Sequence, residues 1–439
     1  MRMRRARVGS MRRSRPRPLL RAVVVVAAVA ALLAPEAGAS AAPAAGTARA
    51  ARSDLVRSKE YWLDNYGIRS AWKTTRGKGV TIAIIDTGVD GAVAELRGAV
   101  VGGTDFSGEG AANGQTPVGS DSGHGTMVAS LAVGRGTGSG TGVIGAAPEA
   151  SVLSISVGFG SSAPNSDQQI ADAVTWAVDH GAKVINMSLT RNTLDWPPSW
   201  DTAFLDAAKH DVVVVAAAGN RGSGTEEVGA PATMPGVLAV GGVNANGIAS
   251  SQASAQGITI GVSAPSENLV GVVPGGGYVL WDGTSGATPI VAGIVALVRA
   301  AHPELDAANV IQRVLATAHD AGAPGPDDLY GYGLIDANAA VNGTVAPVTA
   351  NPLGDLAEWV RINRRAVATP TPVSSEASVV VPVPGAPAPP RNPVGVLLPS
   401  TVSLTLVGLP LLVILLMLFA IGGLVVGAVV HFRSVRRTG

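Results

Sequence analysis

Residues 81–88 read T-I-A-I-I-D-T-G, an apolar run that ends in an aspartate and a Thr-Gly pair. A run of this kind, rich in β-branched residues and without polar alternation, is typical of a strand buried on both faces of a parallel sheet. The Thr-Gly pair turns the chain directly after Asp86. Because open α/β sheets build their sites at the carboxyl ends of strands, we expect Asp86 to be a site residue.

The chain between residues 79 and 345 alternates similar apolar runs with helical patterns, which predicts an α/β fold with three layers and a mostly parallel central sheet. The glycine-rich stretch 102–123 has no apolar period and indicates a long loop. Ser166 and Gln169 have the spacing of a capping box. The predicted strands begin at Thr81, Ser151, Val184, Val212 and Val237, and the predicted helices cover 166–179, 307–318 and a stretch from Ser285 to just before Pro303.

Two further segments carry residues that complement Asp86. Residues 122–129 read S-G-H-G-T-M-V-A around His124, and residues 283–289 read G-T-S-G-A-T-P around Ser285. A serine hydroxyl is a weak nucleophile that needs a base within hydrogen-bond reach, and the base is in turn oriented by a third group. We therefore predict Asp86, His124 and Ser285 as the catalytic residues of a nucleophilic hydrolase.

The order Asp, His, Ser along the chain is that of subtilisin. The three motifs resemble those of the subtilisin-like (S8 family) serine peptidases, and the layout of the whole chain resembles the mycosins, which are associated with type VII secretion. The resemblance implies a subtilisin-like α/β fold and a serine endopeptidase that acts on polypeptides. It also implies that residues 61–72 pack along the catalytic body, although an ordinary surface helix remains an alternative for them.

The resemblance extends to residues that would bind the substrate. Residues 216–220 read A-A-A-G-N and are similar to the family segment whose asparagine, here Asn220, supplies an oxyanion-hole donor. The segment Ser188-Leu189-Thr190 matches the strand that lies beside the substrate in the family. Two departures affect specificity: Thr190 stands where the family usually has glycine, and Gly286 stands where a bulky residue usually follows the nucleophile.

Both ends of the chain have targeting patterns. Nine arginines precede an apolar stretch, residues 22–34, which is the pattern of a secretory signal peptide. Residues 402–430 contain no charge, and a bilayer core needs about 20 apolar residues in a helix. Three arginines follow this span, so the positive-inside rule predicts a single-pass protein of the cell membrane with its catalytic domain outside the cytoplasm.

These observations divide the chain into six predicted parts: a signal peptide (1–40), an N-terminal extension (41–78), the peptidase domain (79–345), a proline-rich linker (346–401), a transmembrane helix (402–430) and a cytoplasmic basic tail (431–439). The chain has no cysteine, which excludes disulfides, a thiol nucleophile and Cys-based metal sites. Oxygen ligands at recognisable calcium-binding spacing are also absent from the sequence. We predict no metal, no cofactor and no nucleic-acid partner.

Three functions stay open from the sequence. The first is an active endopeptidase that processes exported proteins in association with the type VII secretion membrane complex. In the second, the domain is mainly a structural partner of that complex, although a scaffold would not require all three catalytic residues. The third is a general degradative protease of the cell surface, which differs from the first only in its partners and specificity.

Overall fold

The computed structural model describes residues 55–159 and 165–364, together with Met417 and Gly422, which are helical. The predicted signal peptide and cytoplasmic tail lie outside the described residues. So do the predicted linker beyond residue 364 and, except for those two residues, the predicted transmembrane helix.

A seven-stranded parallel sheet forms the centre of the described domain, with the strand order β2-β3-β1-β4-β5-β6-β7. A separate antiparallel pair, β8 with β9, follows β7 along the chain. The strands are β1 (Thr81–Asp86), β2 (Val100–Asp105), β3 (Ser151–Ser156), β4 (Val184–Met187), β5 (Val213–Ala217), β6 (Leu238–Val243), β7 (Ile260–Pro265), β8 (Leu269–Val272) and β9 (Tyr278–Trp281).

Helices cover both faces of this sheet, which confirms the predicted three-layer α/β fold. The helices are α1 (Trp62–Asn65), α2 (Ile68–Ala71), α3 (His124–Val133), α4 (Ser166–Asp179), α5 (Pro198–Lys209), α6 (Thr284–Ala301), α7 (Ala307–Ala316), α8 (Ala337–Asn342) and α9 (Leu356–Asn363). One apolar cluster joins a sheet face to α3, α6, α7 and α8, and a second cluster joins the other face to α4 and α5.

The side chains of β1 alternate between the two faces of the sheet, and this alternation determines the face on which Asp86 lies. Ile82 and Ile84 belong to the cluster on the α3 and α6 face, whereas Ala83 and Ile85 belong to the opposite cluster. Successive side chains of a strand point to opposite faces, so Asp86 faces the side that carries α3 and α6. Those helices begin at or next to His124 and Ser285, and the three candidate residues therefore meet at one edge of the sheet.

The central helix α6 is the one helix among the described residues that is long and apolar enough to cross a membrane, and 83% of it is buried. It packs against α3 and against the central strands. Burial of this degree inside the first apolar cluster makes α6 the core helix of the domain.

Three local expectations were wrong or incomplete. Residues 102–105 of the predicted loop pair with β3 as part of β2, because backbone hydrogen bonding to a neighbour needs no apolar period. The Ser166–Gln169 capping box does not form: α4 is preceded by Asn165 in a left-handed conformation, and the Gln169 side chain accepts a hydrogen bond from the Gly158 nitrogen at 2.7 Å. The strands β7, β8 and β9 and the helices α5, α8 and α9 were not predicted.

The segment before β1 packs into the domain. Trp62, Leu63 and Ile68 are fully buried in the first apolar cluster. The Glu60 carboxylate, also buried, lies 3.2 Å from the Arg57 guanidinium and accepts a hydrogen bond from the Ile144 nitrogen at 2.6 Å. This segment is therefore part of the folded body and contributes to its core.

The packed body also extends beyond residue 345. The indole rings of Trp196 and Trp359 lie 4.3 Å apart between ring centroids. The Arg364 guanidinium stacks on both rings and donates to the Asp201 carboxylate at 2.8 Å. These contacts fasten α9 to α5, so the first residues of the predicted linker are ordered against the domain.

Glu60 should make the stability of the domain depend on pH. Burial raises the pKa of Glu60 from its ordinary 4.5 to about 8, against the attraction of Arg57. Between these values the folded protein holds a proton that the unfolded chain has released, so the free energy of unfolding should fall as pH rises from about 4.5 to about 8. In the Glu60→Gln variant, the decrease in the free energy of unfolding that comes from Glu60 should disappear.

The measurement is urea unfolding of the full-length protein in detergent, followed by tryptophan fluorescence at pH 5, 6, 7 and 8. Glu149→Gln is the matched control, because Glu149 is an exposed carboxylate paired with Arg76. Curves for Glu60→Gln and wild type that stay parallel over this pH range would contradict the prediction.

Candidate active site

Asp86 is the last residue of β1 and is buried, with 1% of its surface exposed. Its Oδ1 atom accepts hydrogen bonds from the Thr87 backbone nitrogen at 2.7 Å and from the Thr87 hydroxyl at 3.2 Å. A buried carboxylate without partners is strongly destabilising, so these donors are needed for the charge to be kept at the strand end.

The imidazole of His124 faces this carboxylate. Its Nδ1 atom lies 2.8 Å from Oδ1 and 2.9 Å from Oδ2 of Asp86. Because a carboxylate can only accept hydrogen bonds, Nδ1 carries the proton, and Nε2 of the neutral ring is available as a base. The Thr87 hydroxyl accepts from the Gly125 nitrogen at 3.0 Å, which fastens the first turn of α3 to the end of β1.

The electrostatic surroundings of His124 favour its protonated form. Burial lowers the pKa of the imidazole, but the charge and hydrogen bond of Asp86, with a smaller contribution from the charge of Asp121, outweigh this effect. The pKa of His124 is therefore raised above its ordinary value. Such a ring is suited to hold a proton taken from a nucleophile until a leaving group needs it.

The indole of Trp281 packs edge to face against His124, with ring centroids 5.7 Å apart and an angle of 75° between the planes. Trp281 is the last residue of β9 and also covers Gly286. A Cβ atom on Gly286 would lie 3.3 Å from the indole and would overlap the end of the Leu269 side chain. The Trp281 indole on β9 thus fills the volume beside the candidate nucleophile Ser285, and glycine at position 286 leaves room for this ring.

Ser285 is the second residue of α6 and bonds to the segment after β4. Its hydroxyl donates to the Ser188 backbone oxygen at 3.1 Å, and the Ser188 hydroxyl donates to the Ser285 backbone oxygen at 2.8 Å. In the described part of the chain, no hydrogen bond joins Ser285 to His124. Such bonds are often long or poorly aligned in enzymes without substrate and tighten on binding.

Asn220 lies just after β5, next to the start of α6. Its Oδ1 atom accepts from the Thr284 nitrogen at 2.8 Å and from the Thr284 hydroxyl at 3.0 Å. The same hydroxyl, which is fully buried, accepts from the Gly219 nitrogen at 3.2 Å. Because Oδ1 is engaged by Thr284, the carboxamide is held in one orientation and presents Nδ2 as a hydrogen-bond donor.

The predicted substrate-binding residues follow β4 directly. Ser188 is buried beside Ser285, whereas Leu189 and Thr190 are half-buried. A cavity of about 370 Å³ runs along Leu189 and Thr190, and Phe159 and Ile170 line its other wall. The segment therefore has the nucleophile at one end and an open groove along its side.

A larger cavity, of about 520 Å³, lies between α5 and residues 349–357 and contains none of the predicted site residues. Groups of three or more His, Asp or Glu side chains that could hold a metal ion are not found among the described residues.

Buried Asp86 against His124 lies at the same sheet edge as Ser285 and Asn220. A family model described as the subtilase family matches residues 77–333. The chain belongs to the subtilase family. The prediction of a subtilisin-like serine endopeptidase is confirmed by this match and by the relatives of the chain.

Two curated relatives are subtilisins. Subtilisin E of Bacillus subtilis (strain 168) is 36% identical over 266 residues, which cover 60% of this subtilase and 66% of that protein. Subtilisin DY of Bacillus licheniformis is 36% identical over 271 residues, which cover 60% of this chain and 92% of the relative. The match thus spans slightly less than two thirds of subtilisin E.

Solved structures of mycosins resemble the subtilase as well. The MycP3 protease from the type VII (ESX-3) secretion system has a TM-score of 0.56 and 32% identity, over 65% of this chain and 88% of that one. MycP1 with its N-terminal propeptide removed has a TM-score of 0.56 and 32% identity, over 67% of this chain and 99% of that one. The predicted resemblance to the mycosins is confirmed.

Two residues of the site in this subtilase were missed from the sequence. Thr284 orients Asn220, and Trp281 packs on His124. A signal existed for Trp281, because Gly286 in place of a bulky residue implies that another side chain fills the volume. No comparable signal existed for Thr284, whose role depends on where β5 ends relative to α6.

Removing the Asp86 charge should lower the pKa of His124. In Asp86→Asn the burial of the ring remains while the attraction that opposes it is lost. The titration of the His124 imidazole, followed by NMR in full-length protein, should move to lower pH than in wild type. Asp121→Asn is the control and should cause a smaller shift, since Asp121 acts through charge alone. Equal shifts in the two variants would contradict the assignment.

Proposed function

We propose that this subtilase hydrolyses peptide bonds with Asp86, His124 and Ser285 as its catalytic triad. The observation that carries the proposal is the imidazole Nδ1 within 2.9 Å of both oxygens of buried Asp86, at the sheet edge where α6 presents Ser285. This pairing fixes the imidazole tautomer and leaves Nε2 facing away from the carboxylate, available to a serine hydroxyl.

In the proposed reaction the Ser285 Oγ atom attacks the scissile carbonyl carbon while His124 Nε2 takes its proton. The tetrahedral intermediate then expels the amine, which receives that proton from His124, and leaves an acyl-enzyme on Ser285. Water, deprotonated by the same imidazole, then attacks the ester carbon; the bond to Ser285 Oγ breaks, Oγ receives the proton back from His124, and the new carboxyl end of the peptide is released. Before the first step the hydroxyl must leave the Ser188 oxygen to which it donates.

The negative charge on the former carbonyl oxygen needs donors that are already oriented. Asn220 Nδ2 is one, since Thr284 fixes the carboxamide through Oδ1. The Ser285 backbone nitrogen is the other, at the N-terminus of α6, where the helix dipole favours negative charge. Donors that need no reorganisation during the reaction stabilise the transition state more than the ground state.

We further propose that the enzyme acts outside the cytoplasm, anchored in the cell membrane by residues 402–430 and exported by residues 1–40. The composition of the two segments supports this. Association with a type VII secretion complex is supported by the similarity to the MycP3 protease, whose structure is described as coming from such a system. Within this layout, the proline-rich linker begins after Arg364, because α9 packs on the domain.

One observation favours a second candidate, a mainly structural partner of the secretion complex. The Ser285 hydroxyl is bonded to Ser188 instead of His124, so the triad is not fully engaged in the isolated chain. Peptidase activity of the isolated chain distinguishes the two candidates.

Ser285→Ala should abolish hydrolysis without unfolding the protein, since one hydroxyl with a single backbone partner contributes about 1 kcal/mol to stability. The test is cleavage of a quenched fluorescent peptide library by the full-length protein in detergent, with thermal unfolding of both proteins. Ser58→Ala is the matched control, because the exposed Ser58 hydroxyl also donates to a single backbone oxygen, that of Leu55, at 2.8 Å. Turnover of the Ser285→Ala variant at the wild-type rate would remove Ser285 from the mechanism.

Asn220→Ala should lower kcat while leaving KM close to wild type, because the oxyanion exists only after attack. The expected loss is about 100- to 1000-fold, a magnitude measured for the corresponding donor in subtilisin itself and transferred here through family membership. Steady-state kinetics on one peptide substrate measure it. A rise in KM with unchanged kcat would mean that Asn220 binds the substrate ground state instead.

A further inference from the structure

The position of the residue before the scissile bond follows from the proposed function, on which this inference rests. The scissile carbonyl carbon must lie next to Ser285 Oγ, which touches Ser188, and its oxygen must lie next to Asn220. Ser188 and Asn220 belong to two different segments, and the side chain of that substrate residue therefore extends into the gap between these segments. One wall of this gap is 188–190, and the other is 217–220.

The walls of the gap carry little side-chain volume of their own. Gly219 has a φ of 106°, in the region that favours glycine, and the Gly229 nitrogen donates a hydrogen bond to the Ala218 oxygen at 3.4 Å. Neither glycine adds a side chain to the gap, and the Arg191 backbone oxygen packs against Gly229 where a Cβ atom would stand.

In this chain the Thr190 side chain lies between these two glycines. Its hydroxyl oxygen lies 2.5 Å from the position that a Cβ atom on Gly229 would occupy, and its methyl carbon lies 3.4 Å from the corresponding position on Gly219. The Thr225 methyl carbon, which is buried, lies 2.5 Å from that position on Gly219. Two threonine side chains thus occupy space that the glycines leave open.

Thr190 is also held in place. Its hydroxyl donates to the Arg191 backbone oxygen at 3.0 Å, and the Arg191 nitrogen donates to the Ala230 oxygen at 2.7 Å. A β-branched side chain has few accessible rotamers, so this bond and the adjacent backbone pairing disfavour a swing out of the gap. Across the gap, the Thr225 hydroxyl donates to the Asn192 side chain at 2.7 Å, which limits its movement as well.

We propose that Thr190 determines specificity by closing the pocket for the residue before the scissile bond, so that the enzyme cuts after glycine, alanine and serine and rejects large apolar side chains. A phenylalanine or leucine at that position would have to displace the Thr190 methyl group and hydroxyl. Protein interiors have no spare volume of that size, and displacement would break the hydrogen bond to Arg191.

The test uses full-length protein in detergent and peptides that differ only in the residue before the scissile bond, alanine or phenylalanine. Wild type should have the higher kcat/KM for the alanine peptide. In Thr190→Gly the ratio of kcat/KM for phenylalanine to that for alanine should rise at least about tenfold, the lower range for a change in pocket volume. Thr190→Ser keeps the hydroxyl and removes the methyl group, so it should give a smaller rise in this ratio of kcat/KM values. If Thr190→Gly does not fold, the result for Thr190→Ser decides the test.

Thr137→Gly makes the same substitution in an exposed loop and should leave the ratio unchanged. The Kd values of both peptides are measured in the Ser285→Ala background, so that the pocket is probed even without turnover. No hydrolysis, together with a ratio of the Kd of the phenylalanine peptide to that of the alanine peptide that Thr190→Gly lowers, would reject the proposed function and support this pocket. Hydrolysis with a wild-type preference for phenylalanine, or a ratio that neither Thr190 variant changes, would overturn the inference.

Discussion

The contact between the buried Asp86 carboxylate and the His124 imidazole is the constraint on which the site depends. A charge at the end of the central strand would be costly without partners, and the fold provides them from the next residue, Thr87, and from the first residue of α3. The hydroxyl of Thr87 then fixes the helix start through Gly125. The strand end, the helix start and the imidazole therefore form one rigid unit.

The serine side of the site is built on the core helix α6. Burial of this helix fixes the position of Ser285 in its first turn, and Thr284 before it holds the carboxamide of Asn220. The candidate nucleophile and the candidate oxyanion donor are thus positioned by one element. Release of the Ser285 hydroxyl from the Ser188 oxygen, which the proposed reaction requires, is compatible with this rigidity because only one side-chain rotation is involved.

Much of the fold could be predicted from the sequence, because strands buried on both faces are long apolar runs. The predicted strands at Thr81 and Ser151 and the helix 166–179 agree with the structure. β2 was missed because its G-G-T-D end lacks an apolar pattern. Side-chain packing was harder to predict: Gly286 indicates that some side chain fills the space beside it but not that this is Trp281, and Thr190 meets Gly229 only because the fold brings together two segments that are distant in sequence.

The most direct test of the account is to treat the full-length protein with a fluorophosphonate and to locate the adduct by peptide mass spectrometry. The account predicts one adduct, on Ser285, that forms much more slowly in His124→Ala, because the imidazole is the base that activates the hydroxyl. A folded protein that remains unmodified, or an adduct on another serine, would contradict the claim that Asp86, His124 and Ser285 form a working catalytic triad.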